Sequence, residues 1–365
     1  MPSRGRRQCM KTKLSSHERF TRMFAHQVAD RVPIIDDPWP TTLARWRNEG
    51  LPSNVDFRDF LDIDLVAHFE VDNSPRYPVQ VLEKTERYTI HKTAWGATMK
   101  SWNHVEGVPE FLDFTIKDAN TWQQAKSRMQ PEVDRIPWEY LRSNYAEWKK
   151  NGYWIEAGLW FGFDVSHSWM VGTERLLLAM MEDPSWLIDM FSHQLEVNLA
   201  LLQQVWDAGY HFDAVKWPDD MGFKHNQFFS LRTFRLVLKR FHERAITWAH
   251  DHGVKAHLHS CGDINPLVPE LVELGLDALN PLEVKAGMDP LRIKSSFGDR
   301  LVLHGGINAV LWDDLTAIEA EMRTVVPKMK EDGGYIFSSD HSVPDSVSFQ
   351  NFQVIVELAK SLGAY

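Results

Sequence analysis

From residue 153 onward the chain alternates short apolar runs with helical stretches, and few folds accommodate that pattern. Runs at 153–156, 212–217, 254–261, 278–280, 301–304 and 335–337 read as strands. Between and after them, 173–207 (broken at Pro184), 232–252, 264–274, 289–297, 315–331 and 349–362 read as helices. Strands separated by helices pair in parallel through right-handed crossovers. The runs are apolar on both faces, as strands covered on both sides require. A further run at 32–36 brings the visible strands to seven, and an eighth is expected near Trp160 or Val165. The count favours an α/β fold, a distorted (β/α)8 TIM barrel, over a doubly wound sheet. No GxGxxG or GxxxxGK[ST] follows a strand, so dinucleotide and P-loop sites are disfavoured.

Residues 1–14 form a basic stretch with no apolar run behind it, expected as a flexible tail rather than a secretory signal. The remainder, 15–365, reads as one barrel domain with a helix at 15–29. Within it 45–150 is an elaborated N-terminal extension, β-rich over 77–105 and helix or loop over 111–137. The net charge of −10 argues against a general nucleic-acid surface. No apolar run approaches the ~20 residues that span a bilayer. The two cysteines, Cys9 and Cys261, lie too far apart for a disulfide framework, so a reduced, cytoplasmic setting is expected.

In a barrel the C-terminal strand ends form one mouth. At those ends fall Asp36, Asp37, Glu156, Asp219, Asp220, His259, Cys261, Glu283, His304, Asp340 and His341. Strand alternation places His257, His259 and Cys261 on one face. An imidazole and a thiol two residues apart can chelate one ion. Catalytic zinc commonly takes three nitrogen, sulfur or oxygen donors and keeps a fourth position open. The third donor must come from another strand. His341 and Asp340 are the nearest chemical match, with Glu156, Asp219 and Glu283 as rivals.

Glu156 lies among apolar residues, so it needs a partner or an elevated pKa, which suits acid catalysis or ligation. Asp219 and Asp220 are adjacent and point apart, suited to orienting a ligand and holding a loop. His257 lies deeper than His259 and is expected to bond a ligand or an acid from beneath. His304 precedes two glycines that permit a ligand's close approach. Asp36, Trp39, Trp160, Trp217 and Glu283 complete the expected substrate contacts. The chain's fifteen tryptophans, several near strand ends, point to a planar or aromatic ligand.

Several segments resemble the uroporphyrinogen decarboxylase superfamily: 19–33, Asp219-Asp220-Met221-Gly222, His259-Ser260-Cys261-Gly262-Asp263, 275–280, 286–289 and His304-Gly305-Gly306-Ile307-Asn308. The resemblance covers most of 15–362 and is weakest over 45–140. It implies a distorted (β/α)8 barrel and one of two activities, decarboxylation or zinc-dependent methyl transfer to a corrinoid. The decarboxylases carry an Arg-Gln-Ala-Gly-Arg stretch after the first strand that binds substrate carboxylates. Here Ile35-Asp36-Asp37-Pro38-Trp39-Pro40 stands in its place, with the wrong charge for a polyanion. The methyltransferase branch carries His-x-Cys-Gly, matched by 259–262. Its better-known members add a later cysteine, where this chain has Ser338-Ser339-Asp340-His341. The resemblance thus implies a zinc methyltransferase of the demethylating kind. It would move a methyl group from a small methoxylated or methylated, possibly aromatic donor to the cobalamin of a separate carrier protein. A decarboxylase or lyase without a cofactor, acting on a carboxylated substrate, is the alternative.

Overall fold

The computed structural model describes residues 13–104 and 107–365. The tail expected over 1–14, with Cys9, lies outside the described residues as far as residue 12. The strands in chain order are β1 (Val66–Glu70), β2 (Gln80–Lys84), β3 (Tyr88–Lys92), β4 (Ala97–Trp102), β5 (Glu110–Phe114), β6 (Trp154–Gly158), β7 (Ala214–Pro218), β8 (Gly222–Phe223), β9 (Asn226–Gln227), β10 (Lys255–His259), β11 (Ala278–Asn280), β12 (Val302–His304) and β13 (Tyr335–Ile336). Seven form one parallel sheet in the order β1-β6-β7-β10-β11-β12-β13. The gap between its two edges is filled by the segment around Ile34. That residue bridges in parallel to Phe337, and its carbonyl accepts the Asp64 N–H at 3.0 Å. The result is a distorted (β/α)8 barrel whose last stave is held by isolated contacts.

The eighth strand expected near Trp160 or Val165 is instead Val66–Glu70; residues 163–170 are helical. His68 and Glu70 interrupt the apolar run of β1, which hides it from a search for buried strands. β1 lies inside the 45–150 extension, so that segment contributes a barrel stave. Its remaining strands form an antiparallel sheet, β2-β3-β4-β5. The stretch 111–114, expected as helix or loop, belongs to β5, the outer strand of that sheet.

Strand alternation divides the core in two. Ala67, Phe69, Ile155, Ala157, Val215, Trp217, Leu258, Leu279 and Leu303 face outward against helices such as Ser185–Asp207, Lys239–Asp251 and Phe349–Gly363. Trp154, Ala214, Ala278, Val302 and Ile336 face inward and form the barrel floor. Phe20 and Phe24 of the first helix, Ser16–Phe24, stack on Trp154 at 5.4 and 5.1 Å and plug that end. Two residues further along the same faces come His68, Glu156, Lys216, His257 and His304. The lumen is therefore apolar below and ionisable above.

The closing stave is fixed by charge. The Asp64 carboxylate, fully buried, accepts from Arg19 Nη1 (2.5 Å), Arg31 Nη1 (2.6 Å) and the Ile34 N–H (2.8 Å). Arg19 also meets Asp30 at 2.7 Å. One carboxylate thus links the first helix, the closing segment and the entry to β1.

Candidate metal centre

The loops after β7 and β10 are zipped together along their backbones. The Asp219 N–H donates to the His259 carbonyl (2.8 Å), the Met221 N–H to Ser260 Oγ (3.2 Å) and the Asp263 N–H to the Phe223 carbonyl (3.0 Å). Gly262 makes this contact possible. Its φ is +82°, and a Cβ there would lie 2.1 Å from the Gly222 carbonyl carbon.

The zipped loops bring three side chains together. His259 Nε2 lies 3.3 Å from Cys261 Sγ and 3.7 Å from Asp220 Oδ1. The ligand atoms of Asp220, His259 and Cys261 all lie within 4.8 Å of one another. The Cys261 N–H donates to Asp220 Oδ1 at 2.7 Å and fixes that carboxylate. His259 Nδ1–H donates to Asn280 Oδ1 at 2.6 Å, which leaves the Nε2 lone pair directed at the group. The His259 and Asp220 side chains are 32 and 33% exposed, so one side of the cluster faces the mouth.

Its electrostatics favour protonated donors while no ion is held. Burial pushes the Cys261 thiol well above its ordinary pKa, and the Asp220 and Glu283 carboxylates push it further. Burial likewise raises the Asp220 carboxyl, against the pull of His259. A divalent ion among nitrogen, sulfur and oxygen donors would relieve this crowding and favour the thiolate, so the donor set fits zinc.

The other residues expected at the mouth separate into distinct positions. Asp219 is turned away: fully buried, it accepts the Asp164 N–H (2.8 Å) and lies 3.0 Å from His242 on the outer helix. Trp217, expected at the ligand, also faces outward, because Lys216 takes the inward place beside it. Its indole N–H donates to His242 at 3.2 Å. Asp340 is buried and accepts the N–H groups of Ala309 (2.7 Å) and Val284 (2.9 Å), so it ties loops together. Glu283 accepts the Gly262 N–H at 2.6 Å. His341 does not join the three-residue group; it sits edge-on to Trp39 at 6.4 Å.

Below the cluster runs a buried relay. His257 Nδ1 lies 3.1 Å from Glu156 Oε1, and His257 Nε2 lies 3.3 Å from His304 Nδ1. Lys216 Nζ lies 3.7 Å from Glu156 Oε2. Against the upward push of burial, Lys216 and His257 hold Glu156 well below the usual carboxylate range. Of the two outcomes expected for a carboxylate among apolar neighbours, a partner or an elevated pKa, the structure shows the partner: Glu156 is paired with His257 and Lys216, which favours its ionised form. Burial lowers both His257 and His304, which favours neutral imidazoles. Sequence reasoning passed over Lys216 and Asn280. A lysine inside the apolar run 212–217 was the available signal for the first.

Asp36 lines the closing stave and accepts from Ser339 Oγ (2.6 Å) and the Ser339 N–H (3.0 Å). Burial, outweighing those bonds, pushes its carboxyl from 3.8 up to about 7. A folded pKa above the unfolded one means the folded state keeps its proton longer. Stability from this group is fully present below pH 3.8, declines as pH rises and levels off above about 7. Asp36→Asn is expected to flatten the fall in melting temperature between pH 5 and 7 (~2 pH units within that window). Thermal melts of both proteins across that range check it; parallel curves would contradict it.

A barrel with an ionisable lumen and a donor cluster at its C-terminal mouth is an enzyme architecture. The profile of the uroporphyrinogen decarboxylase (URO-D) family matches residues 166–362, more than half of the chain. The protein belongs to this family, and so to an enzyme superfamily. Among solved structures, a methyltransferase from Methanosarcina mazei superposes with a TM-score of 0.63 at 14% identity, covering 96% of this chain and 100% of that one. At that identity the likeness is one of fold. No curated protein sequence matches the chain. Among the described residues no helix is long and apolar enough to cross a membrane.

Proposed function

We propose that the protein is a zinc-dependent methyltransferase. It would take a methyl group from a small methoxylated or methylated donor and pass it to a corrinoid on a carrier protein seated over the mouth. The observation that carries this reading is the convergence of Asp220, His259 and Cys261 on one partly exposed point. Asp220 supplies the third donor in this proposal, in the place that His341 was expected to fill. Zinc held there would act as a Lewis acid on the departing heteroatom. Asn280 orients His259, and the Cys261 N–H orients Asp220. Glu156 holds His257 in one orientation, and His304 extends that contact across the lumen. Asp36, Trp39 and Trp160 would line the substrate's approach, in a cytoplasmic setting.

The family match supports a second reading more directly, because its namesake activity is a decarboxylase's. In that reading the mouth takes a smaller carboxylated substrate without a cofactor, Lys216 supplies a positive charge and His257 and His304 serve proton transfer. One experiment separates the two. The purified protein is assayed for metal content, for methylation of Co(I)-cobalamin from a panel of methoxyarenes and methylated amines, and for CO2 release from small acids. Stoichiometric zinc with zinc-dependent methylation supports transfer. CO2 release unaffected by chelator, with no methylation, establishes the second reading instead.

A further inference from the structure

Beside the mouth, between β1 and the end of β6, lies a cavity of about 420 Å³ lined by Glu70, Val71, Asp72, Trp95, Trp160 and Trp169. Glu70 is the last inward-facing residue of β1, level with Gly158 at the end of β6, and Trp160 lies two residues beyond that strand end. Trp95 comes from the turn between β3 and β4, and Trp169 from the helical turn Ser166–Met170. The antiparallel sheet of the extension therefore has a local purpose: it brings one wall to a cavity whose other walls belong to the barrel.

The lining combines three indoles and two carboxylates, with no lysine or arginine. Asp72 is already matched by Arg76 at 2.5 Å. Glu70 is half-exposed and accepts from the Trp160 indole and from His68 at 3.0 Å. An anionic ligand would meet repulsion from Glu70, whose partner is a histidine rather than a lysine or arginine. A neutral arene could stack on the indoles, yet it would desolvate the carboxylate and return nothing for it. A methylated cation satisfies both features, since its charge faces Glu70 while its methyl groups lie on tryptophan faces.

We propose that this cavity binds the methylated ammonium head of a small organic cation. As a binding site it stands independently of the chemistry at the cluster. As an identity for the methyl donor it rests on the methyl-transfer reading.

The test is calorimetric titration of the full chain with choline, with its uncharged isostere 3,3-dimethyl-1-butanol and with 2-methoxyphenol. Choline is expected to bind at least about tenfold more tightly than the isostere, the margin a desolvated cation on indole faces gives. Glu70→Gln is expected to remove most of that margin while leaving isostere binding unchanged. Because Glu70 is half-exposed, this variant should keep its fold, and circular dichroism checks that it does. Trp169→Leu is expected to weaken choline by a similar factor. Equal affinity for choline and the isostere, tighter binding of 2-methoxyphenol, or no choline binding at about 10 mM, beyond the millimolar range of weak sites, would each overturn the proposal. Choline binding without methylation of cobalamin from any donor would instead count against methyl transfer and leave the site standing. Methylation from a methoxyarene with no choline binding would do the reverse.

Discussion

Cys261→Ala is expected to lower zinc affinity by at least about a hundredfold, the scale on which even outer-shell partners act, and to abolish zinc-dependent turnover. Affinity is read by competition with a chromophoric chelator. The physical basis is the sulfur's place 3.3 Å from His259 Nε2; Cys261 is the one cysteine among the described residues. Two companion variants identify the third ligand. Asp220→Asn should weaken zinc binding strongly, whereas His341→Ala should change it little, because only Asp220 shares the group with His259 and Cys261. Should His341→Ala release the metal and Asp220→Asn retain it, the donor set proposed above is wrong and His341 returns as the ligand.

Asp64→Asn is expected to cost about 3–5 kcal/mol of stability, the usual range when one partner of a buried ion pair is removed. The Arg19 and Arg31 side chains are 2 and 13% exposed, so neither guanidinium can turn to water when the charge is lost. Asn keeps the shape and can still accept the Ile34 N–H, but its NH2 then faces Arg19 Nη1, so the loss combines the missing charge with one donor set against a donor. Urea denaturation of both proteins measures it through the midpoint at constant slope. A loss under about 1 kcal/mol, the worth of an exposed pair, would mean that Asp64 does not hold the last stave.

The second half of the barrel was legible because its strands are nearly pure hydrocarbon, so 278–280, 301–304 and 335–337 stood out against helical neighbours. β1 was not, because a strand that presents His68 and Glu70 to an open lumen loses the apolar run that marks a buried one. At the site, period-two alternation sufficed to align His259 with Cys261. It could not choose the third donor. Asp220 reaches the cluster through a loop contact that depends on Gly222 and Gly262 touching backbone to backbone, which leaves no periodic trace. Asp219 and Asp220 form an indistinguishable pair in sequence. The fold separates them by giving one a buried backbone amide and the other an open face. Trp217 misled for a related reason: nearness to a strand end says nothing about which side of the sheet a residue takes.

The aromatic stopper of Phe20, Phe24 and Trp154 makes the barrel a vessel with one opening. Whatever settles over the rim therefore also corks the chamber below. The tilted imidazoles of His257 and His304, buried between stopper and rim, would then exchange protons with the medium only while the rim is uncovered. Covering the rim would thus fix the acid–base state of these buried groups at the value the medium had given them.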